Sequence, residues 1–146
     1  MSLVPALPDI TDRLGYLLKH AQLRLGALSA EALGPLGITG RENAVLIAID
    51  SEQPLSQQEI AARLDVDRTS MVALVDELVA KHLVARRQHP TDRRKNLVEL
   101  TELGRSTLRK ANARTAEVER AFLAPLSAAD AQRLRRLLRS VAHPAS

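Results

Sequence analysis

The 146-residue chain contains no cysteine. That absence excludes disulfide staples, thiolate metal sites and thiol-based redox sensing, and it is compatible with a reducing cytoplasm. Aromatic side chains are almost missing too, Tyr16 and Phe122 being the whole set. A core must therefore be assembled from Leu, Val, Ile and Ala, which favours packed helices over an aromatic-rich sheet. No apolar run approaches the ~18 residues needed to cross a bilayer. The stretch MSLVPALPDI lacks the basic start and apolar core of a signal peptide, so the expectation is a cytoplasmic chain with no membrane partner. Also missing are a glycine-rich phosphate loop, a nucleophile beside a recognisable base, and a carboxylate pair in a cleft-like context. Neither an enzyme nor a cofactor is expected. The four histidines, His20, His82, His89 and His143, include no pair at His-x-x-x-His spacing, so no metal site is expected.

What the chain does carry is charge and helical period. Its 21 Lys and Arg against 17 Asp and Glu give a net charge of +4 and a pI near 10.1, which suits a polyanionic partner without requiring one. The length predicts about one domain, residues 1–146. Asp9 is placed to cap a helix over 9–33, on which Ile10, Leu14, Leu17, Leu18, Ala21, Leu25, Leu28 and Ala32 form one apolar stripe before GPLG, residues 34–37, stops it. Thr39 with Glu42, and Ser56 with Glu59, have the spacing of capping boxes and mark two further helix starts. Asp65, Val66 and Asp67 then break the pattern, and Asp67 is placed to cap RTSMVALVDELVAKH, with Met71, Leu74, Val75 and Leu78 on one face. Helix, short turn, helix is the spacing of a helix-turn-helix.

LVARR, residues 83–87, and NLVEL, residues 96–100, are short strand-like runs separated by QHPTDRRK, whose Pro and Asp suit a turn. They predict a β-hairpin. Thr101 caps a long helix with a seam of Gly104, Leu108, Ala111, Thr115, Val118 and Phe122, ended by Pro125. Ser127 with Asp130 starts a last helix on which Arg133, Arg135, Arg136 and Arg139 form a solvated face. The fold class is mainly α with a small β-hairpin wing: a winged helix-turn-helix over 39–101, flanked by dimerisation helices over 9–33 and 102–142. These outer helices carry more apolar seam than the central ~70 residues can cover, which argues for a homodimer.

Helix-turn-helix plus wing has a physical use on DNA. A recognition helix contacts base edges with residues near its N-terminus, here Arg68, Thr69 and Ser70, with Ala73 one turn on. Ser56 with Gln57, at a helix N-terminus whose amides favour phosphate, and Lys81 are further candidates for DNA backbone contact. On the wing, Arg93, Arg94 and Lys95 are candidate DNA contacts. An arginine there is suited to the minor groove, while Asp92, two residues from Arg94, is suited to brace one guanidinium and free the other. The residue types leave open whether Arg93 or Arg94 enters the groove. They also leave open a winged helix used as a protein-interaction module, its arginines pairing to an acidic partner.

D-x-R, five residues, L-T, then G three positions after the threonine stands here as Asp92, Arg94, Leu100, Thr101 and Gly104. This pattern resembles the signature of MarR-type transcriptional regulators, and LSQQEIAARLDVDRTSMVALVDELVAKHLVARRQHPTDRR resembles that family's winged helix-turn-helix. LGYLLKHAQ and the two last helices resemble its dimerisation region. The resemblance implies a homodimer on double-stranded DNA with an inverted-repeat operator, acting as a repressor released by a small effector. Two positions depart from the family pattern, Val79 in place of a common glutamate and His82 in place of a helix-ending glycine. Neither lies on the expected DNA surface. Because the family often binds anionic aromatic compounds near the hinge, Arg13, Tyr16, His20 and Arg24, which share one side of the first helix, become ligand candidates. The plainer reading has Tyr16 filling dimer space.

Overall fold

A computed structural model describes Ala6 and residues 8–145; the first five residues of MSLVPALPDI, read above for a leader, lie outside the described residues. The helices are α1 (Leu14–Leu33), α2 (Gly40–Ile49), α3 (Gln57–Leu64), α4 (Arg68–Ala80), α5 (Glu102–Leu123) and α6 (Ala128–Ala142). Strands β1 (Leu55–Ser56), β2 (Val84–Gln88) and β3 (Asn96–Leu100) form an antiparallel sheet in the order β1-β3-β2. The chain divides into two compact units, Ser29–Thr115 and the paired terminal segments Met1–Leu28 and Ala116–Ser146.

The central unit is built on an aliphatic core, with Val45 and Leu46 of α2, Ile60 of α3, Met71, Val75 and Leu78 of α4 and Val98 of β3 all buried. Each such side chain contributes about 1.5–3 kcal/mol relative to exposure. The helix starts follow their caps. Thr39 and Glu42 form the reciprocal box expected, with Glu42 N–H donating to Thr39 Oγ1 (3.1 Å) and Thr39 N–H to Glu42 Oε1 (2.9 Å). Ser56 makes only half of one: it accepts from Glu59 N–H (3.2 Å) but gives its hydroxyl proton to the Glu59 carboxylate (3.0 Å). Asp67 accepts from Ser70 N–H (2.8 Å) and Ser127 from Asp130 N–H (3.1 Å). Asp9 differs from expectation. It precedes a single 3-10 turn, Ile10–Asp12, makes no capping bond, and is engaged by the Thr11 hydroxyl (3.0 Å); Arg13 is extended, so α1 begins only at Leu14.

Among the described residues, two that are not glycine take left-handed backbone, and each closes a helix. Asp65 (φ 52°) ends α3, with Val66 N–H donating back to Ala61 O (2.9 Å). His82 (φ 61°) ends α4 in the same way, through Leu83 N–H to Leu78 O (3.0 Å). The departure at His82 thus keeps the glycine geometry and bears its steric cost, about 1 kcal/mol.

The hairpin pairs Val84↔Leu100 through Gln88↔Asn96, and β1 adds Leu55↔Val98 and Ser56↔Leu97 on the other side of β3. At its far end the Thr101 hydroxyl donates to His82 O (2.6 Å) and accepts from Gly104 N–H (3.0 Å). Any Cβ at position 104 would overlap the Leu83 carbonyl oxygen. L-T-x-x-G is therefore a joint, with Thr101 capping α5 and Gly104 letting its first turn lie against the chain that enters β2.

In the terminal unit, the Arg24 guanidinium lies 5.0 Å over the Phe122 ring and donates to the carbonyls of Phe122 (2.8 Å) and Ala121 (3.2 Å) at the end of α5. Arg135 pairs with Glu119 (2.9 Å) and Arg133 with Asp130 (3.6 Å), while Leu14, Leu17 and Leu18 of α1 and Leu137, Leu138 and Val141 of α6 stay exposed.

Candidate nucleic-acid interface

The first turn of α4 is set by Asp67, which accepts both the backbone N–H and the hydroxyl of Ser70, each at 2.8 Å. The Ser70 amide, then its hydroxyl, hold the Asp67 carboxyl below its ordinary value. Arg68, Thr69 and Ala73 are exposed beside this cap, and Thr69 and Ala73 stand one turn apart on α4. Ser70 is half-buried with its proton committed to Asp67, so it offers a partner only its lone pairs.

Arg86 of β2 ties the wing to both helices of the helix-turn-helix. Its Nε donates to Gln57 Oε1 at the start of α3 (2.7 Å), its Nη2 to Val72 O (3.3 Å), and its Nη1 pairs with Asp76 of α4 (2.6 Å). Around this tie lies an open cleft of about 550 Å³ whose walls include Arg68 from α4, Gln57 and Gln58 from α3, and Arg94 and Lys95 from the wing. Four cations, Arg68, Arg86, Arg94 and Lys95, face one carboxylate, Asp76, in that lining. A concave, net positive surface between a helix N-terminus and a hairpin suits a polyanion.

The wing tip is ordered by its own groups. Asp92 Oδ1 accepts the Arg94 backbone N–H (3.0 Å) and lies 3.4 Å from Arg94 Nε, yet the Arg94 side chain is 93% exposed. Asp92 therefore grips the Arg94 backbone more tightly than its guanidinium. Arg93 makes no ion pair among the described residues. Arg87 is held across the strands by Glu99 (2.8 Å).

This arrangement can be compared with known proteins. A model described as the MarR family matches residues 36–95. The HTH-type transcriptional repressor NicR of Pseudomonas putida is 34% identical over 100 residues, covering 68% of this chain and 63% of NicR, so the match spans less than two thirds of that repressor. A putative transcriptional regulatory protein for the hcr operon of Thauera aromatica is 32% identical over 123 residues, covering 84% of this chain and 74% of the relative. The chain belongs to the MarR family. Among solved structures, the repressor CouR bound to a 23-mer DNA duplex is 31% identical, with 94% of this chain and 98% of that one covered and a TM-score of 0.87. CouR of Rhodococcus jostii RHA1 bound to p-coumaroyl-CoA is 30% identical, with 96% and 99% covered and a TM-score of 0.82.

Membership in the MarR family favours the DNA reading of the wing over an acidic protein partner. Not every expected contact residue of this MarR-family chain reaches the surface, however. Ser56 is 2% exposed, paired through its backbone to Leu97 and through its hydroxyl to Glu59, so it builds the start of α3 and is not a free donor. Gln57 is half-buried and its carbonyl oxygen accepts from Arg86, which leaves its amide NH2 as the donor for a further partner. Lys81 is partly exposed, but its ammonium is committed within the chain. Its Nζ bonds both oxygens of fully buried Glu42 (2.9 and 2.8 Å) and the Gly37 carbonyl (2.8 Å). Burial pushes the Glu42 carboxyl up, but the Lys81 and Thr39 bonds outweigh it and the net shift is downward.

A prediction follows for Lys81→Met. It should cost about 2–3 kcal/mol, below the ~3–5 of a fully buried pair because Lys81 is 41% exposed, and leave the salt dependence of DNA binding unchanged. In the unmodified chain the Glu42 contribution is complete above the ordinary carboxylate pKa and is lost as pH falls through the depressed value. In Lys81→Met, burial works against a weaker opposition and the loss begins at higher pH. Denaturant melts between pH 3 and 7 read both effects, and a flatter salt slope would return Lys81 to the phosphate contacts.

The ligand candidates do not converge as a set. The Tyr16 and His20 rings lie 4.0 Å apart, tilted by 32°. Arg13 Nε donates to Pro8 O (3.2 Å), and Arg24 is engaged at the end of α5. The spacing placed all four on one side of a first helix, but Arg13 precedes α1, which carries only Tyr16, His20 and Arg24 at steps of four, and spacing held no information about the carbonyl partners.

Proposed function

We propose that the chain is a homodimeric, sequence-specific repressor of transcription that lays α4 in the major groove of double-stranded DNA and sets its wings on the flanks. The observation that carries this reading is the cationic cleft in which Arg68 of α4 meets Arg94 and Lys95 of the wing. Arg68, Thr69 and Ala73 are assigned to base edges, with Ser70 and the Gln57 amide as weaker polar contacts. Arg93, Arg94 and Lys95 are assigned to phosphates and the minor groove, with Arg93, free of Asp92, as the residue that enters it.

Exposed leucines on α1 and α6 support a two-fold dimer, which would set the recognition helices about 34–36 Å apart. CouR in complex with p-coumaroyl-CoA supports an aromatic acid or its thioester as effector, with Tyr16 and His20 as the first surface to probe. Such a ligand releases DNA only to the extent that it prefers the unbound arrangement. Cytoplasmic action is part of the proposal; among the described residues, no helix is long and apolar enough to cross a membrane.

The test is a retardation assay on DNA upstream of the chain's own gene, with the inverted repeat intact and with ~5 base pairs inserted between its halves, half a helical turn. We expect binding to the intact repeat and at least ~100-fold weaker binding to the spaced one, as bivalency is lost. Equal affinity for both would remove the dimer from the account. No retardation of any duplex at low salt would remove the DNA reading.

A further inference from the structure

Among the four histidines, His89 occupies an unusual position at the end of β2. Its Nδ1 lies 3.1 Å from the Thr91 N–H, 3.1 Å from the Asp92 N–H and 3.2 Å from the Thr91 hydroxyl. Backbone N–H groups only donate, so Nδ1 must present its lone pair and the ring proton must sit on Nε2. His89 N–H donates to Lys95 O (3.1 Å) and Lys95 N–H to Asp92 O (3.1 Å), closing the tip around the imidazole. Asp92, whose amide faces the ring, in turn accepts the Arg94 N–H. A chain of bonds thus runs from the imidazole through the Thr91–Asp92 amides to the backbone that carries Arg93 and Arg94.

We propose that His89 is a positioning residue whose neutral imidazole fixes the wing tip, so that discrimination between operator and other DNA is lost when Nδ1 takes up a proton. A protonated imidazole donates from both nitrogens, and two amide N–H groups would then face a third donor with no acceptor between them. The tip must open, and the two arginines lose the placement that lets them follow one groove shape. Among side chains in their ordinary state, histidine is the one whose charge changes between pH 5 and 8.

The hairpin that carries His89 holds Arg87 on β2, Asp92, Arg93, Arg94 and Lys95 in the tip, and Glu99 of β3 paired with Arg87, and Arg68 of α4 shares a cleft with Arg94 and Lys95. Cations outnumber carboxylates there. A proton on His89 therefore adds attraction to any duplex while it removes the shape that selects one. The quantity to follow is the ratio of operator to non-operator affinity, from which the shared electrostatic gain cancels.

This inference rests on the DNA reading above, and the experiment separates the two. Affinities of the full chain for its operator duplex and for a scrambled duplex of equal length are measured at pH 8 and pH 5.5 at one ionic strength. The comparison variant is His89→Asn, whose Oδ1 occupies the place of Nδ1 and accepts without titrating. The ratio should fall roughly five- to tenfold on acidification of the unmodified chain and stay constant in His89→Asn. A ratio that ignores pH, or that falls equally in His89→Asn, overturns the His89 proposal alone, because the variant retains His20, His82 and His143. No operator preference even at pH 8 sinks the DNA reading and the proposal with it. Nitrogen NMR of the free chain gives a DNA-independent check: Nδ1 should show the unprotonated signature at pH 8, and a proton found there overturns the assignment.

Discussion

Arg86→Ala is expected to weaken operator binding by about a hundredfold, although Arg86 is assigned no contact with DNA. Its guanidinium holds Gln57 of α3, Asp76 and the Val72 carbonyl of α4 from a position on β2. Hydrogen bonds to a charged group contribute about 1.5–3 kcal/mol each, and part of that total is the placement of the wing against the recognition helix. Without the tie, binding must bear the cost of ordering the wing, and 2.7 kcal/mol of ordering is roughly a hundredfold in Kd. Arg86→Lys should fall between, since an ammonium reaches one or two of the three partners. Isothermal titration with the operator duplex at fixed salt reads the loss. Wild-type affinity in Arg86→Ala would show that the wing needs no anchor.

Gly104→Ala should lower stability by about 2 kcal/mol and the melting temperature by roughly 5–8 °C. Two effects oppose one another. Alanine gains about 1 kcal/mol over glycine within a helix, while its Cβ would overlap the Leu83 carbonyl oxygen, a backbone atom that cannot swing aside as a side-chain end can. Relief requires moving the first turn of α5, which strains the Thr101 bond to His82 O and the Thr101 N–H bond to Leu83 O. Overpacking of this kind costs up to about 3 kcal/mol, so the clash wins. Gly40, with nothing within 4 Å of a Cβ, is the control; Gly40→Ala should be neutral or slightly stabilising. Calorimetric melts showing the two alanines alike would refute the joint at Gly104.

Much of the fold was legible because it is specified locally. The caps at Thr39, Asp67 and Ser127 sit three residues before the amides they bind, a relation a sequence displays directly. The hairpin followed from two short runs around a Pro and Asp turn; its second strand is Asn96–Leu100 as expected, and its first is Val84–Gln88, one residue later than the expected 83–87. What escaped depends on distant partners. Strand β1 is two residues long, too short for an alternating pattern, so Ser56 looked like an exposed helix cap when it is also a buried strand residue. In the sequence Lys81 is a candidate DNA backbone contact, and Arg86 only part of a strand. Gln57 lies 29 positions from Arg86 and Glu42 lies 39 from Lys81, and a cation carries no mark of which distant acceptor it will meet.

The candidate site divides along the same line. Arg68, Thr69 and Ala73 stand exposed on the first turns of α4 because helix geometry alone puts them there. Arg24 shows the opposite limit: its spacing along α1 matched a ligand face, and the carbonyls of Ala121 and Phe122 that it meets lie far away in sequence. His89 was weighed only as a metal ligand, and its role as an acceptor emerges once the tip brings two amides onto its ring.

The central claim is that the recognition helix and wing together read DNA, and salt titration of operator binding tests it most directly. Each phosphate contact contributes about 0.9 to the slope of log Kobs against log salt. Unmodified chain should show a steep slope. The double variant Arg93→Ala, Arg94→Ala should flatten it by about 1.8 if one arginine of each wing meets the DNA backbone, and by about 3.6 if both do. Identical slopes for the two proteins, or no binding to any duplex at low salt, would contradict the account.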